Sequence, residues 1–297
     1  MPHDAPPTLD PVAAAHWQRA APAQSPWLHE EVARRMEDRL QWIRLTPTTW
    51  GHWEPVRGGL AAQALLARRY PGAEALVVET VPARARLARE KLAAPWWRSW
   101  RGSPVRHLEA LPAQSVQMLW ANMALHLSPD PQALLAHWQQ ALATDGFLMF
   151  SCLGPDTLRE LRALYRAQGW PPAGPEFTDM HDWGDMLVQA GFAEPVMDME
   201  RITLTYESPS RLIEELRGIG ANLHPGRFPA LRGRGWRQRL EAALDQGLRG
   251  ADGRLALSFE IIYGHALKPA PRIRMSEQSA VSLQDMRGML RRGRDAR

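Results

Sequence analysis

The chain predicts a doubly wound α/β sheet with an antiparallel last strand and a helical insertion ahead of it. Three observations lead there. Short apolar, β-branched runs alternate with amphipathic helical runs over most of the 297 residues. The last two strand-like runs, "PVMDMERITLTY" and "LSFEIIYGHAL", follow each other without an ordinary αβ unit between them. The stretch that separates them, residues 207–256, is helical and rich in Gly, Pro and Arg.

The elements justify themselves in order. Residues 1–24 are rich in Pro and Ala, with one helical patch in "DPVAAAHWQRAA", and are expected to be flexible. "SPWLHEEVARRMEDRLQWIRL" is a helix: Ser25 is its expected cap, Pro26 suits its first turn, and Leu28, Val32, Met36 and Leu40 recur every four residues. "TTWGHWEPVRGG" leads through paired glycines into the helix "GGLAAQALLARRYPG", which Pro71-Gly72 ends. "EALVVE" is a strand ending at Glu79, "PARARLAREKLA" a helix, and Val116 to Trp120 a strand. Asp130 caps the helix "PDPQALLAHWQQAL", Asp145-Gly146 turns, and "FLMFSCL" is a strand. Two further helices follow, the second ending at Gly191, where a C-terminal glycine is favoured. Residues 25–206 are thus expected as the core, 207–256 as a helical insertion, 257–268 as the final core strand and 269–297 as a mobile basic tail.

Composition excludes several classes. No apolar run reaches bilayer-spanning length, and the N-terminus has no signal-peptide pattern, so a cytoplasmic protein without membrane partners is expected. The single cysteine, Cys152, allows no internal disulfide framework and no metal-ligand spacing. Net charge is +4 and the isoelectric point about 9.7, almost wholly from arginine, since lysine occurs only at Lys91 and Lys268. A basic surface can meet nucleic acid, membrane or an acidic protein, and genomic codon bias is an equal explanation. No nucleic-acid recognition module is present, so no nucleic-acid partner is expected.

Certain stretches carry a family resemblance. "EALPAQSVQMLWANMALHL" (Glu109 to Leu127) resembles the fourth-strand region of class I S-adenosylmethionine-dependent methyltransferases, whose sheet is Rossmann-like. "FSCLGPDTLRELRALY" and "LRGIGANLHPGR" are similar to the malonyl-[acyl-carrier protein] O-methyltransferases of biotin synthesis. The resemblance spans roughly residues 10 to 268 and strengthens beyond residue 105. It implies S-adenosylmethionine as cofactor and methylation of the free carboxylate of a malonyl thioester carried on acyl-carrier protein, or on coenzyme A. It also implies a lid over the substrate.

Laid on that family, the chain keeps Gly58 and Gly59 of the glycine-rich cofactor loop, while His52 stands for the acid of the first strand and Val56 for a glycine. Glu79 takes the place of the acid that binds the ribose hydroxyls, His107 that of the adenine-contacting Asp, and Asn122 ends the fourth strand. Arg227, in the lid motif, is the implied clamp for the substrate carboxylate, ahead of Arg217 and Arg201. Trp17 falls near a position that often holds a tyrosine over the cofactor and is read as packing, as is His126. "RFPALRGRGWRQR" offers Arg232, Arg234, Arg237 and Arg239, with Trp236 as an apolar anchor, for an acidic carrier. The replacements at His52, Val56 and His107 leave a second reading: a degenerate paralogue with weak or no cofactor binding, acting as a binding or regulatory protein.

Overall fold

The structure is a computed structural model that describes residues 9–93 and 104–270. Seven strands form one sheet in the order β3-β2-β1-β4-β5-β7-β6. They are β1 (Thr49–Trp53), β2 (Glu74–Val78), β3 (Val105–Leu108), β4 (Val116–Ala121), β5 (Leu142–Leu153), β6 (Ala193–Tyr206) and β7 (Leu255–Leu267). The pairings of β1 with β2 and β4, of β2 with β3 and of β4 with β5 are parallel; β7 runs antiparallel to both β5 and β6. β3 was not legible in the sequence: "VRHL" is four residues long and only half-buried.

Period-two alternation sends side chains to two cores. Trp50, Met118, Trp120, Phe147 and Met149 point to one face, where α2 (Trp27–Arg39) and α4 (Ala62–Arg69) cover them. Leu76, Val78, Leu119, Leu148, Phe150 and Cys152 point to the other, under α6 (Pro131–Ala141) and α8 (Met180–Gln189). The remaining helices are α1 (Pro11–Ala20), α3 (Pro55–Gly58), α5 (Pro82–Leu92), α7 (Arg159–Ala167), α9 (Pro209–Ile219) and α10 (Arg234–Leu248). Trp50, Trp120, Trp138 and Trp183 are fully buried core residues, whereas Trp27 and Trp42 are exposed.

The helical insertion expected as a lid has a simple origin. Tyr206 pairs directly with Leu255, so the lid is an enlarged loop of the β6–β7 hairpin. Because β6 runs parallel to β5, that loop leaves the sheet at the C-terminal ends of the parallel strands, where open α/β sheets place their ligands.

Two local expectations need correction. Ser25 does not cap α2; Pro26 stands at the cap position, and the Ser25 hydroxyl donates to Glu30 instead. The segment before residue 25 is not loose where it is described. Asp10 caps α1 by accepting from Val12 and Ala13, its own N–H donates to the Leu223 carbonyl at 2.9 Å, and Leu9 and Ala14 pack on Leu223 of the lid. The expected tail lies almost wholly outside the described residues.

Candidate active site

Two cavities meet at the C-terminal end of the sheet. The first, about 280 Å3, lies at the strand ends and is roofed by α1; Trp53, Glu54, Arg57, Gly58, Arg84 and Asn122 are among its walls. The second, about 640 Å3, lies beneath the lid, with a mostly apolar wall that includes Leu158, Leu161, Leu216 and Leu240. Trp17 and Leu127 line both, so those two side chains form a shared wall between the cavities.

The loop after β1 builds the first cavity. Glu54 adopts a left-handed conformation, with φ 47°, to turn the chain into α3. Gly58 is required by contact: a Cβ there would sit 2.7 Å from the Asn122 carbonyl oxygen. Gly59 has φ 121°, and a Cβ on it would meet Glu30 and Ala33 of α2. Gly58 therefore faces the cavity, while Gly59 serves the close approach of α2.

Asn122 knits the site together. Its amide donates to the His29 carbonyl at 2.8 Å and to the Gly58 carbonyl, and its oxygen accepts from Ser151 at 2.6 Å. His29 and His52 are buried behind this wall; burial pushes their pKa values down to about 3 and about 4, so both are neutral. His52 bonds Gln63 at 2.9 Å.

Glu79 lies at the same end of the sheet as Gly58, but behind the wall. One oxygen accepts from the Val56 N–H at 2.7 Å, and the other faces the Arg84 guanidinium at 3.3 Å. Burial pushes its carboxyl up to about 7, against those two contacts, which favour the charged form. It is Glu54 that faces the cavity. One of its oxygens accepts from Thr80, whose hydroxyl oxygen in turn accepts from Gln18 of α1 at 2.9 Å. His107 sits in β3 opposite Val77 and lines neither cavity. The adenine role expected of it does not place it on that cavity, whose wall comes from α1, the end of β1 and the segments after β1, β2 and β4.

Arg57 went unnoticed in the sequence. Its guanidinium donates to the carbonyls of Pro22 and Gln24 and to those of Gly218 and Ile219, the last residues of α9. Among the described residues no carboxylate pairs closely with it, and burial lowers its pKa to about 10. The negative end of the α9 dipole supplies the compensating field. An arginine placed directly before Gly58 in the loop after β1 was the available signal.

Arg227 does not reach the substrate side. It pairs with Asp10 at 2.5 Å, tying the lid to α1, and lines neither cavity. Arg201 pairs with Asp156 at 2.7 Å on the edge strand. The guanidiniums on the lid cavity are Arg162 and Arg217. Arg162 bonds the Pro155 and Pro175 carbonyls and stands 5.5 Å from the Phe177 ring centre. Phe177 meets His126 edge-on at 5.7 Å, and His126 adjoins Leu127 of the wall that the cavities share. Arg162 thus lies on the inner side of the lid cavity. His126 is neutral, its pKa pushed down to about 3 by burial.

Comparison with known proteins decides the family. Residues 57–150 match the methyltransferase domain family. The malonyl-[acyl-carrier protein] O-methyltransferase of Gallionella capsiferriformans is 41% identical over 264 residues, which cover 83% of this chain and 86% of that one. The protein of the same name from Laribacter hongkongensis is 42% identical over 271 residues, 88% of each chain. The chain belongs to the malonyl-[acyl-carrier protein] O-methyltransferase family. Among solved structures, YcgJ of Bacillus subtilis covers 81% of the chain with a TM-score of 0.52 at 11% identity, a likeness of fold alone. The fold is that of a class I methyltransferase.

S-Adenosylmethionine suits the strand-end cavity in part. Gly58 and the apolar Ala14, Ala15 and Met123 admit a close-lying ligand, and Glu54 presents a carboxylate beside Thr80 that can accept hydroxyl protons. A volume of about 280 Å3 falls just below the range of about 300–1,000 Å3 typical of small-molecule sites. No helix of the described residues is long and apolar enough to cross a membrane, and no group of three or more His, Cys, Asp or Glu among them could hold a metal.

Proposed function

We propose that this protein transfers the methyl group of S-adenosylmethionine to the free carboxylate of a malonyl thioester on acyl-carrier protein, in biotin synthesis. The observation that carries the reading is the adjacency of a strand-end cavity and a larger, mostly apolar cavity under the lid, which share Trp17 and Leu127 as a wall. Relatives about 40% identical over most of their length bear that activity as their name.

When bound, S-adenosylmethionine supplies an electrophilic methyl on a good leaving group. The malonyl carboxylate is ionised at neutral pH, with a pKa of roughly 3 to 4, and is already the nucleophile. No general base is needed, which agrees with a site whose histidines are held neutral and buried. The protein's tasks are alignment and exclusion of water. Arg162 is the residue placed to hold the substrate carboxylate, because guanidinium N–H groups remain beyond its two carbonyl bonds. Glu54, rather than Glu79, is placed to accept from ribose hydroxyls. Gly58 and Asn122 shape the methionine end. Trp17 and Leu127 separate the two chambers and keep bulk water from the reacting atoms. Methylation removes a charge that would be costly to bury in an apolar elongation site.

The acidic carrier has a basic face to meet. Arg234 and Arg239 are exposed on α10, and Leu231 beside them is fully exposed. Trp236 is not free as an anchor: Arg232 stacks on it at 3.6 Å, and it packs against Trp170 at 4.4 Å. Leu231 takes the anchoring role instead. The reading is tested by incubating the purified protein with S-adenosylmethionine and malonyl-carrier and following the gain of one methylene in the carrier's mass. Product in the presence of the protein supports it. S-Adenosylmethionine bound without turnover, or not bound at all, supports the degenerate paralogue.

A further inference from the structure

His126 lines the lid cavity and has no polar partner. The residue is only 7% exposed. Its Nδ1 is buried without a hydrogen bond, and no hydrogen bond among the described residues reaches its Nε2. Asn222 and Thr157, on the same wall, are both satisfied. The Asn222 amide donates to the Pro172 carbonyl at 2.7 Å and its oxygen accepts from the His224 N–H at 3.0 Å. The Thr157 hydroxyl donates to the Glu260 carbonyl and accepts from the Glu260 N–H, each at 3.1 Å. An unpaired polar group kept from water costs about 1–3 kcal/mol. A buried imidazole with neither nitrogen paired therefore calls for an explanation, and a ligand in the cavity it lines supplies one.

Its surroundings say which ligand group. His126 sits in the short turn Leu125–Leu127 after β4, between Asn122 of the strand-end network and Leu127 of the shared wall. Its ring meets Phe177 edge-on at 5.7 Å, and the Arg162 guanidinium stands 5.5 Å from the centre of the same ring. Imidazole and guanidinium thus flank one phenylalanine and line one cavity. The cleft on the other side of His126 has about 20 Å3, room for a single water. Only the lid cavity can bring an organic ligand to it. Burial holds the ring neutral, with its pKa pushed down to about 3, so it carries one N–H and no charge. Such a group matches a carbonyl oxygen, as a guanidinium matches a carboxylate. A malonyl thioester carries both, one methylene apart.

Resting on the methyl-transfer reading above, we propose that His126 determines specificity by donating its Nε2–H to the thioester carbonyl oxygen of the malonyl group, while Arg162 holds the carboxylate. Two points of attachment fix rotation about the methylene between them. That presents a carboxylate oxygen in one orientation, as an in-line transfer requires. A carboxylate without the neighbouring carbonyl is held at one point only.

Two arms of equal length test this without turnover: malonyl-pantetheine, and S-(2-carboxyethyl)pantetheine, in which a methylene replaces the carbonyl. In calorimetric titration of the full chain, the malonyl arm is expected to bind about tenfold tighter, the scale of one hydrogen bond. His126→Phe should bring the two arms within about twofold by weakening the malonyl arm alone. His126→Gln, which restores an N–H donor, should recover part of the preference, and His126→Leu serves if the phenylalanine variant does not fold. Arg162→Ala should weaken both arms. Equal affinity of the two arms in the unaltered protein overturns the proposal. So does a preference that survives His126→Phe, or a variant that weakens both arms alike, since His126 would then only pack. With S-adenosylmethionine present, the same preference should appear in kcat/KM, chiefly through KM. Absence of methylated product from both arms, with the carbonyl preference intact, would defeat the methyl-transfer reading and leave His126 as a carbonyl-binding residue.

Discussion

The strand-end cavity and the lid cavity share two side chains and differ in almost everything else. Around the first, polar groups are tied to one another: Asn122 to Gly58, His29 and Ser151, Glu79 to Val56 and Arg84, Glu54 to Thr80, and Arg57 to four carbonyls. Around the second, the wall is mostly apolar, with leucine its commonest residue and few charged groups, Arg162 and Arg217. A network of satisfied buried polar groups is rigid and intolerant of single deletions. An apolar chamber under a hairpin loop can change volume at lower cost. The comparison assigns precise placement to the strand ends and accommodation of varied length to the lid.

The comparison breaks most readily at Arg162. Arg162→Ala is expected to slow methylation of a malonyl substrate about 100-fold, near 2.7 kcal/mol of transition-state stabilisation, while S-adenosylmethionine affinity stays within about twofold. Equal losses in single-turnover rate and in cofactor titration would make Arg162 a structural residue of the lid.

Next comes Arg57, whose bonds join the strand-end loop to the N-terminal segment and to α9. Arg57→Ala should lower stability by about 2–4 kcal/mol in urea unfolding, since it abandons several buried carbonyls. A loss below about 0.5 kcal/mol would show that the two chambers are not coupled through it.

Acid should sharpen the contrast in the same range. His29, His52 and His126 have folded-state pKa values of about 3, about 4 and about 3, each below the unfolded value of 6.5. The unfolded chain therefore binds more protons below pH 6.5. Stability is complete above that value and falls as pH drops from 6.5 towards 4, by up to roughly 1 kcal/mol per histidine per pH unit. Unfolding midpoints that stay flat between pH 7.5 and 5 would contradict the buried, neutral state.

Glu54→Gln should weaken S-adenosylmethionine binding by about 1.5–3 kcal/mol, and Glu79→Gln by less, because Glu79 stands behind Arg84. The reverse order, by titration, would restore Glu79 to the ribose. The smallest effect belongs to the surface. Reversing Arg234 and Arg239 to Glu should raise KM for malonyl-carrier several-fold at low salt and little at high salt, leaving malonyl-coenzyme A unchanged. A shift common to both substrates, or one indifferent to salt, would remove the docking role.

Much of the fold was legible because it rests on periodicity. Val32 and Met36 declared the buried face of α2, "EALVV" and "FLMF" declared inner strands, and Asp130 declared the start of α6, whose Ala133 N–H it accepts at 2.9 Å. β3 escaped because four half-buried residues carry no pattern. Alignment with the family placed Gly58 and Asn122 on the cavity wall. It could not say that Gly59 faces α2, that Glu79 is screened by Arg84, or that Arg227 is drawn to Asp10, a residue 217 positions away in sequence.

The chain alone therefore determined the alternation of strands and helices, the antiparallel last strand and the helical insertion before it, since these follow from local spacing of apolar residues, glycines and prolines. Which charged side chain faces which cavity was decided only in three dimensions. A guanidinium reaches several ångströms from its backbone and goes wherever carbonyls, carboxylates and aromatic faces converge. For Arg57, Arg84, Arg162 and Arg227 those partners come from segments that only the closed sheet and its lid bring together.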